Sequence, residues 1–148
     1  MLKVSSVGAA LLFLSASGAL GQEMCGQEPI GPQIPKPAEI AQMTPAAADS
    51  AKHAAFNDIR QWQGALKSYR DCLDATVATD KRKISEAQRG DKPDNDKIGK
   101  LNQEIASTNH DYDQSTNDEE LVVNSWNALS VAYCGRTDVD KSTCPKRE

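Results

Sequence analysis

Histidine is scarce in this chain: His53 and His110 are the only two among 148 residues. Neither falls in an HExxH or a Cys/His spacing that holds zinc, and both read as surface residues. Two lone imidazoles are also a poor supply of bases for a nucleophilic serine or cysteine. There is no GxSxG elbow and no glycine-rich phosphate loop. Large aliphatic residues are scarce as well. Beyond residue 21, Leu, Ile, Val and Phe together number only 18 of 127, so little apolar area is available to offset chain entropy. Neither sign of charge dominates, with 17 Lys+Arg against 21 Asp+Glu. That balance leaves no electrostatic footprint for nucleic acid and no basic face for anionic lipid. These shortages argue against catalysis and imply no cofactor.

The one continuous hydrophobic run, residues 7–14, is too short to span a bilayer. With Lys3 before it and Ala19-Leu20-Gly21 after it, residues 1–21 read as a cleaved signal peptide. The expected address is the periplasm or the exterior, with no stable membrane anchor. Four cysteines, Cys25, Cys72, Cys134 and Cys144, follow this segment. An even count in an exported chain predicts two disulfides, which a lean core needs.

What the chain does have is helical spacing. Ile59, Trp62, Leu66, Tyr69, Leu73 and Thr76/Val77 recur at intervals of three and four, and the pattern resumes at Ile84 and Ala87. A second run continues without a gap through Ile98, Leu101, Ile105, Thr108, Tyr112, Ser115, Glu119, Val122, Trp126, Leu129 and Tyr133. Each is the seam of a long helix packing lengthwise on another, as in a coiled coil. Thr44-Pro45 reads as N-cap and first-turn proline. Gly90-Asp91-Lys92-Pro93 reads as the turn, with Gly90 as the residue ending the first helix. Asp91 or Asp94 can cap the second helix and Gly135 can end it. Each helix would be about 40 residues, or roughly 60 Å.

The predicted fold is therefore all-α. A long antiparallel helical hairpin occupies residues 45–135, a Pro-rich extended segment occupies 22–44, and 136–148 form a short charged tail. A three-helix bundle is the alternative, because Thr116-Asn117-Asp118-Glu119 fits a capping box that would break the second helix. Otherwise the polar seam around Thr76, Asp80, Thr108, Ser115 and Glu119 is either buried against a partner or loose and wet.

Folding at the turn places facing residues at numbers summing to about 183. This gathers Phe56, Trp62 and Trp126 at the open end as candidate partner contacts, with Trp62 near Leu121. Cys72 and Cys134 then lie roughly 30 Å apart along the axis, beyond disulfide reach. Cys25–Cys72 with Cys134–Cys144 is the first choice of pairing, and Cys25–Cys134 with Cys72–Cys144 the second. The acidic stretch from Asp111 fails as a calcium loop, since its sixth and twelfth places hold Thr116 and Val122.

Two segments carry a resemblance. Trp62 through Tyr69-Arg70-Asp71-Cys72-Leu73, with Tyr112 through Trp126-Asn127 to Tyr133, is similar to small exported bacterial helical-hairpin proteins of unknown function. Tyr69-Arg70-Asp71-Cys72 also resembles one end of the small periplasmic lysozyme inhibitors, although that family's further cysteine and Leu-Asn-rich segments are missing. The functional expectation is an exported, non-enzymatic structural or interaction protein that self-associates or binds a protein partner. Inhibition of a cell-wall hydrolase is the second reading. Weak binding of a metal or small ligand by the stretch from Asp111 to Glu120 is the third.

Overall fold

The computed structural model describes residues 24–89 and 91–145. The signal-peptide reading of residues 1–21 and the helix-ending role of Gly90 lie outside the described residues. Three helices lie wholly within the described residues: α1 (Pro37–Gln42), α2 (Pro45–Gln88) and α3 (Asn95–Gly135). At 1.5 Å per residue, α2 and α3 run about 66 and 62 Å. They pack along one another as the hairpin that the two seams imply.

The ends are set by local chemistry. The Thr44 hydroxyl accepts from the Ala47 amide at 3.4 Å, ahead of Pro45 at the first helical position. The Asp94 carboxylate accepts from the Lys97 amide at 3.1 Å and starts α3. Each satisfies an amide that the helix leaves without an intrahelical acceptor.

Every seam position named on α3 is buried or half-buried, from Ile98 to Tyr133. Cross-hairpin contacts keep the expected register: Phe56 meets Trp126, Asp49 meets Tyr133 and Gln63 meets Glu119. Two apolar clusters form along this line. Trp62, Leu66, Tyr69 and Leu73 make one; Ile40, Ala48, Ala55, Leu129 and Tyr133 make the other at the open end.

One alternative is excluded and two expectations are revised. First, α3 does not break near Asn117 and runs unbroken to Gly135. The capping-box residues are overruled because Glu119 is held from the opposite helix by Arg70 and Gln63, which leaves the carboxylate unavailable to its own backbone. Second, the lead-in is not extended throughout. Pro37 opens a short helix there, the Lys36 amide donates to the Glu39 carboxylate at 2.9 Å, and Ile40 is fully buried against α3. Third, Leu121 does not face Trp62; it points to solvent, and the neighbouring seam residue Val122 lies against the Trp62 cluster instead.

The disulfides are Cys25–Cys72 and Cys134–Cys144. The first ties the lead-in to the middle of α2, so residues 25–36 lie as a strap along the hairpin. The strap also passes close to the helices at Gly31, where a Cβ would stand 3.1 Å from Val122 Cγ2 and 3.7 Å from the Trp62 ring. The second disulfide folds the tail back onto α3, and side chains reinforce it. Lys52 donates to the Thr143 carbonyl and hydroxyl at 3.2 and 2.8 Å, and Arg136 donates to the Ile40 carbonyl at 2.5 Å. No helix among the described residues is long and apolar enough to cross a membrane.

Candidate interaction surface

Phe56 and Trp126 form the aromatic contact at the open half, with ring centroids 5.7 Å apart and planes tilted by 40°. Phe56 is 44% exposed, and the Arg60 guanidinium lies 5.7 Å from its ring centre. Trp62 does not join them on the surface. It is only 6% exposed, and its indole N–H donates to the Pro29 carbonyl of the strap at 2.9 Å. Of the three aromatic residues grouped by the sequence, two form a partly open pair and the third is a buried anchor for the strap. A buried indole needs an acceptor for its N–H, and the strap supplies one.

The polar middle of the seam is ordered by Arg70. Its guanidinium donates to Ser115 Oγ at 2.8 Å, to the Ser115 carbonyl at 2.6 Å and to Glu119 Oε2 at 2.5 Å. Gln63 completes the Glu119 carboxylate at 2.9 Å. The Arg70 hydrogen bond holds the Glu119 carboxyl below the usual glutamate range, with burial opposing it. Arg70 was not visible as a seam residue, since it stands one place after Tyr69 and reads as a solvated charge. The polar residues opposite it, Ser115 and Glu119, were the available signal.

Near the open end, the Tyr133 hydroxyl donates to Asp49 at 2.8 Å while Lys52 Nζ sits 4.3 Å above the Tyr133 ring. Burial lowers the Lys52 pKa and raises that of Tyr133. This group closes the end of the seam under the tail.

Three elements meet below the strap: Glu28 from the strap, Tyr69 from α2 and Asp111 from α3. Glu28 Oε1, the Tyr69 hydroxyl and Asp111 Oδ2 are all buried without a hydrogen-bonding partner. Burial first, then the charges of Asp118 and Asp111, push the Glu28 carboxyl up, while Arg70 pulls it down. A carboxyl whose folded pKa exceeds its unfolded value stabilises the fold fully below the unfolded pKa, near 4.5. That contribution is lost as pH rises through the folded value. Glu28→Gln is therefore expected to make the protein more stable at pH 7, by on the order of 1 kcal/mol. It should also flatten the decline in stability as pH rises above about 4.5. Melting temperatures of both proteins across pH 4–8 check this, and parallel curves would refute it.

No family model, curated protein or solved structure matches the chain. The surface must therefore be read from its own residues. Three concave places among the described residues are open clefts. One lies in the tail between Cys134 and Pro145, one beside residues 33–39 of the lead-in, and one where Pro29 and Pro32 cross Trp62. His53 and His110 are both exposed, and His53 lies 3.6 Å from Asp49. Among the described residues, no three His, Cys, Asp or Glu converge as they would around a metal ion.

The large apolar side chains left outside the seam are the other feature of this surface. Leu121 is 64% exposed and Val131 75% exposed, both on α3. The seam reading did not anticipate them. The signal was the second helical line they begin, at the same spacing of three and four.

Proposed function

We propose that this is an exported, non-enzymatic interaction protein that acts through its outer surface on a protein partner or on a second copy of itself. The observation carrying this reading is the division of its apolar residues. The seam is closed by the protein's own strap and tail, while Phe56, Leu121 and Val131 remain outside a rod that offers extended faces. The leader-like first 21 residues and the two disulfides support export to an oxidising compartment such as the periplasm or the exterior. Light scattering and chemical cross-linking over a concentration series, with pull-downs from envelope extracts, provide the test. The expected result is a concentration-dependent oligomer or a reproducible captured protein; a strict monomer that captures nothing removes the proposal.

Inhibition of a cell-wall hydrolase is a second reading with one specific observation in its favour. From Leu101 to Gly135, α3 carries six carboxylates and no lysine or arginine, which suits a basic enzyme surface. A lysozyme turbidity assay decides it, since undiminished lysis at excess protein rules inhibition out.

A further inference from the structure

The outer side of α3 carries a second helix-pairing line. Asn117, Leu121, Asn124, Ala128 and Val131 follow intervals of four, three, four and three, and all five are exposed. The buried seam of the same helix runs through Ser115, Val122, Leu129 and Tyr133. At 100° per residue the two lines fall on opposite sides of the cylinder. Asp113 and Glu120, both exposed, border the outer line along one edge. No cation on α3 between Leu101 and Gly135 offsets them.

Deepening the interaction reading above, and resting on it, we propose that this strip docks a basic amphipathic helix of a partner protein. The partner's aliphatic side chains, spaced three and four apart, would seat over Leu121, Ala128 and Val131. Its lysines and arginines would meet the bordering carboxylates. The strip from Asn117 to Val131 is about 21 Å long, matching four turns of such a helix. A second copy of this chain is the poorer occupant. Two α3 strips would set carboxylates against carboxylates, a repulsive arrangement with no compensating cation. The outer side of α2 carries exposed Arg60, Lys67 and Arg82 together with Asp71, but the residues among them, Gly64, Ser68 and Ala75, offer no large apolar side chain to fill the spaces around Leu121 and Val131.

The probe is a synthetic 16-residue helical peptide with leucine at positions spaced three and four apart and lysine elsewhere. A scrambled peptide of the same composition is the control for charge alone. Fluorescence anisotropy at 150 mM salt should show binding to the oxidised full chain at least tenfold tighter than to the scramble. Leu121→Ser with Val131→Ser should weaken it at least tenfold. Asp113→Asn with Glu120→Gln should weaken it several-fold and reduce its salt dependence. Both double variants alter exposed side chains, and circular dichroism reports their folding directly. Equal binding of the scramble, or full binding by the Leu121/Val131 variant, overturns the strip as the docking site. Envelope pull-downs with the same proteins separate the two levels. If the parent captures a partner that the Leu121/Val131 variant retains undiminished, the strip fails and the interaction reading stands. If the parent captures nothing and stays monomeric, the interaction reading itself fails.

Discussion

Oxidised protein with both Cys25 and Cys72 replaced by serine should melt roughly 15 °C below the parent. The bridge closes a sequence separation of 47 residues. A loop of that size restrains the unfolded chain by about 4 kcal/mol in the chain-entropy description, and each kcal/mol moves the melting point of a domain this size by a few degrees. Past Ile34, which packs at the open end, the other ties of the strap are few. Its indole–carbonyl bond to Trp62 and the close approach of Gly31 to Val122 are contacts of single residues, and Glu28 is placed unfavourably beside Asp111 and Asp118. Release of the strap would uncover Trp62, Leu66, Tyr69 and Leu73 together. Loss of the bridge is therefore also expected to red-shift tryptophan emission before the helices melt. Replacing Cys134 and Cys144 should cost less, about 3 kcal/mol for a separation of 10 residues, because Lys52 and Arg136 also hold that region. Calorimetry with parallel circular dichroism and fluorescence melts measures all of this. A Cys25/Cys72 variant that melts with the parent would show that the strap contributes nothing to the fold.

Arg70→Met should cost about 3 kcal/mol. The substitution keeps the aliphatic stem but deletes three charge-assisted hydrogen bonds, leaving Glu119 Oε2 without its donor in the seam, while the Ser115 carbonyl keeps only the backbone bond of its own helix. The Arg70 and Glu119 side chains are 17% and 28% exposed, so water replaces the lost donor only in part. The pH dependence gives an independent readout. Glu119 has its folded pKa depressed by Arg70, so its contribution is present above the unfolded pKa and is lost as pH falls through the folded value. The parent should lose stability on acidification through that range, and Arg70→Met should lose much less. Combining Arg70→Met with Glu119→Gln should cost less than the sum of the single changes, because the second removes the charge that the first leaves stranded. Urea unfolding at pH 7 and pH 4 checks both claims. Additive costs would mean that the pair is not coupled.

The two long helices were legible because their seams keep one rhythm for forty residues, and because Thr44-Pro45 and Asp94 carry their own start signals. The same rhythm narrowed the disulfide pairing to two candidate sets, of which the structure holds the first. Once the helices are rigid rods of known length, Cys72 and Cys134 are too far apart to bond, and only flexible ends can reach them. The site residues were less legible. Trp62 and Trp126 share an aromatic identity and a seam position, yet one lies beneath the strap and the other forms a pair with half-exposed Phe56. No local spacing records which of them the strap will cross. Arg70 and Lys52 look like ordinary solvated charges, because a long basic side chain reaches a buried partner several ångströms from its own Cα.

The sequence by itself determined the two long helical seams and their approximate register and excluded a Cys72–Cys134 bond from the straight hairpin, because spacing and length act within each helix and need no distant partner to be read. Only the tertiary structure decided that α3 stays whole through Asn117, that Ile40 closes the open end, and that the strap buries Trp62 above an unpaired cluster of Glu28, Tyr69 and Asp111. Those outcomes turn on which polar group finds a partner across the seam. A buried carboxylate is held by the donor that reaches it, and that donor lies on another element, 49 residues away in the case of Arg70 and Glu119.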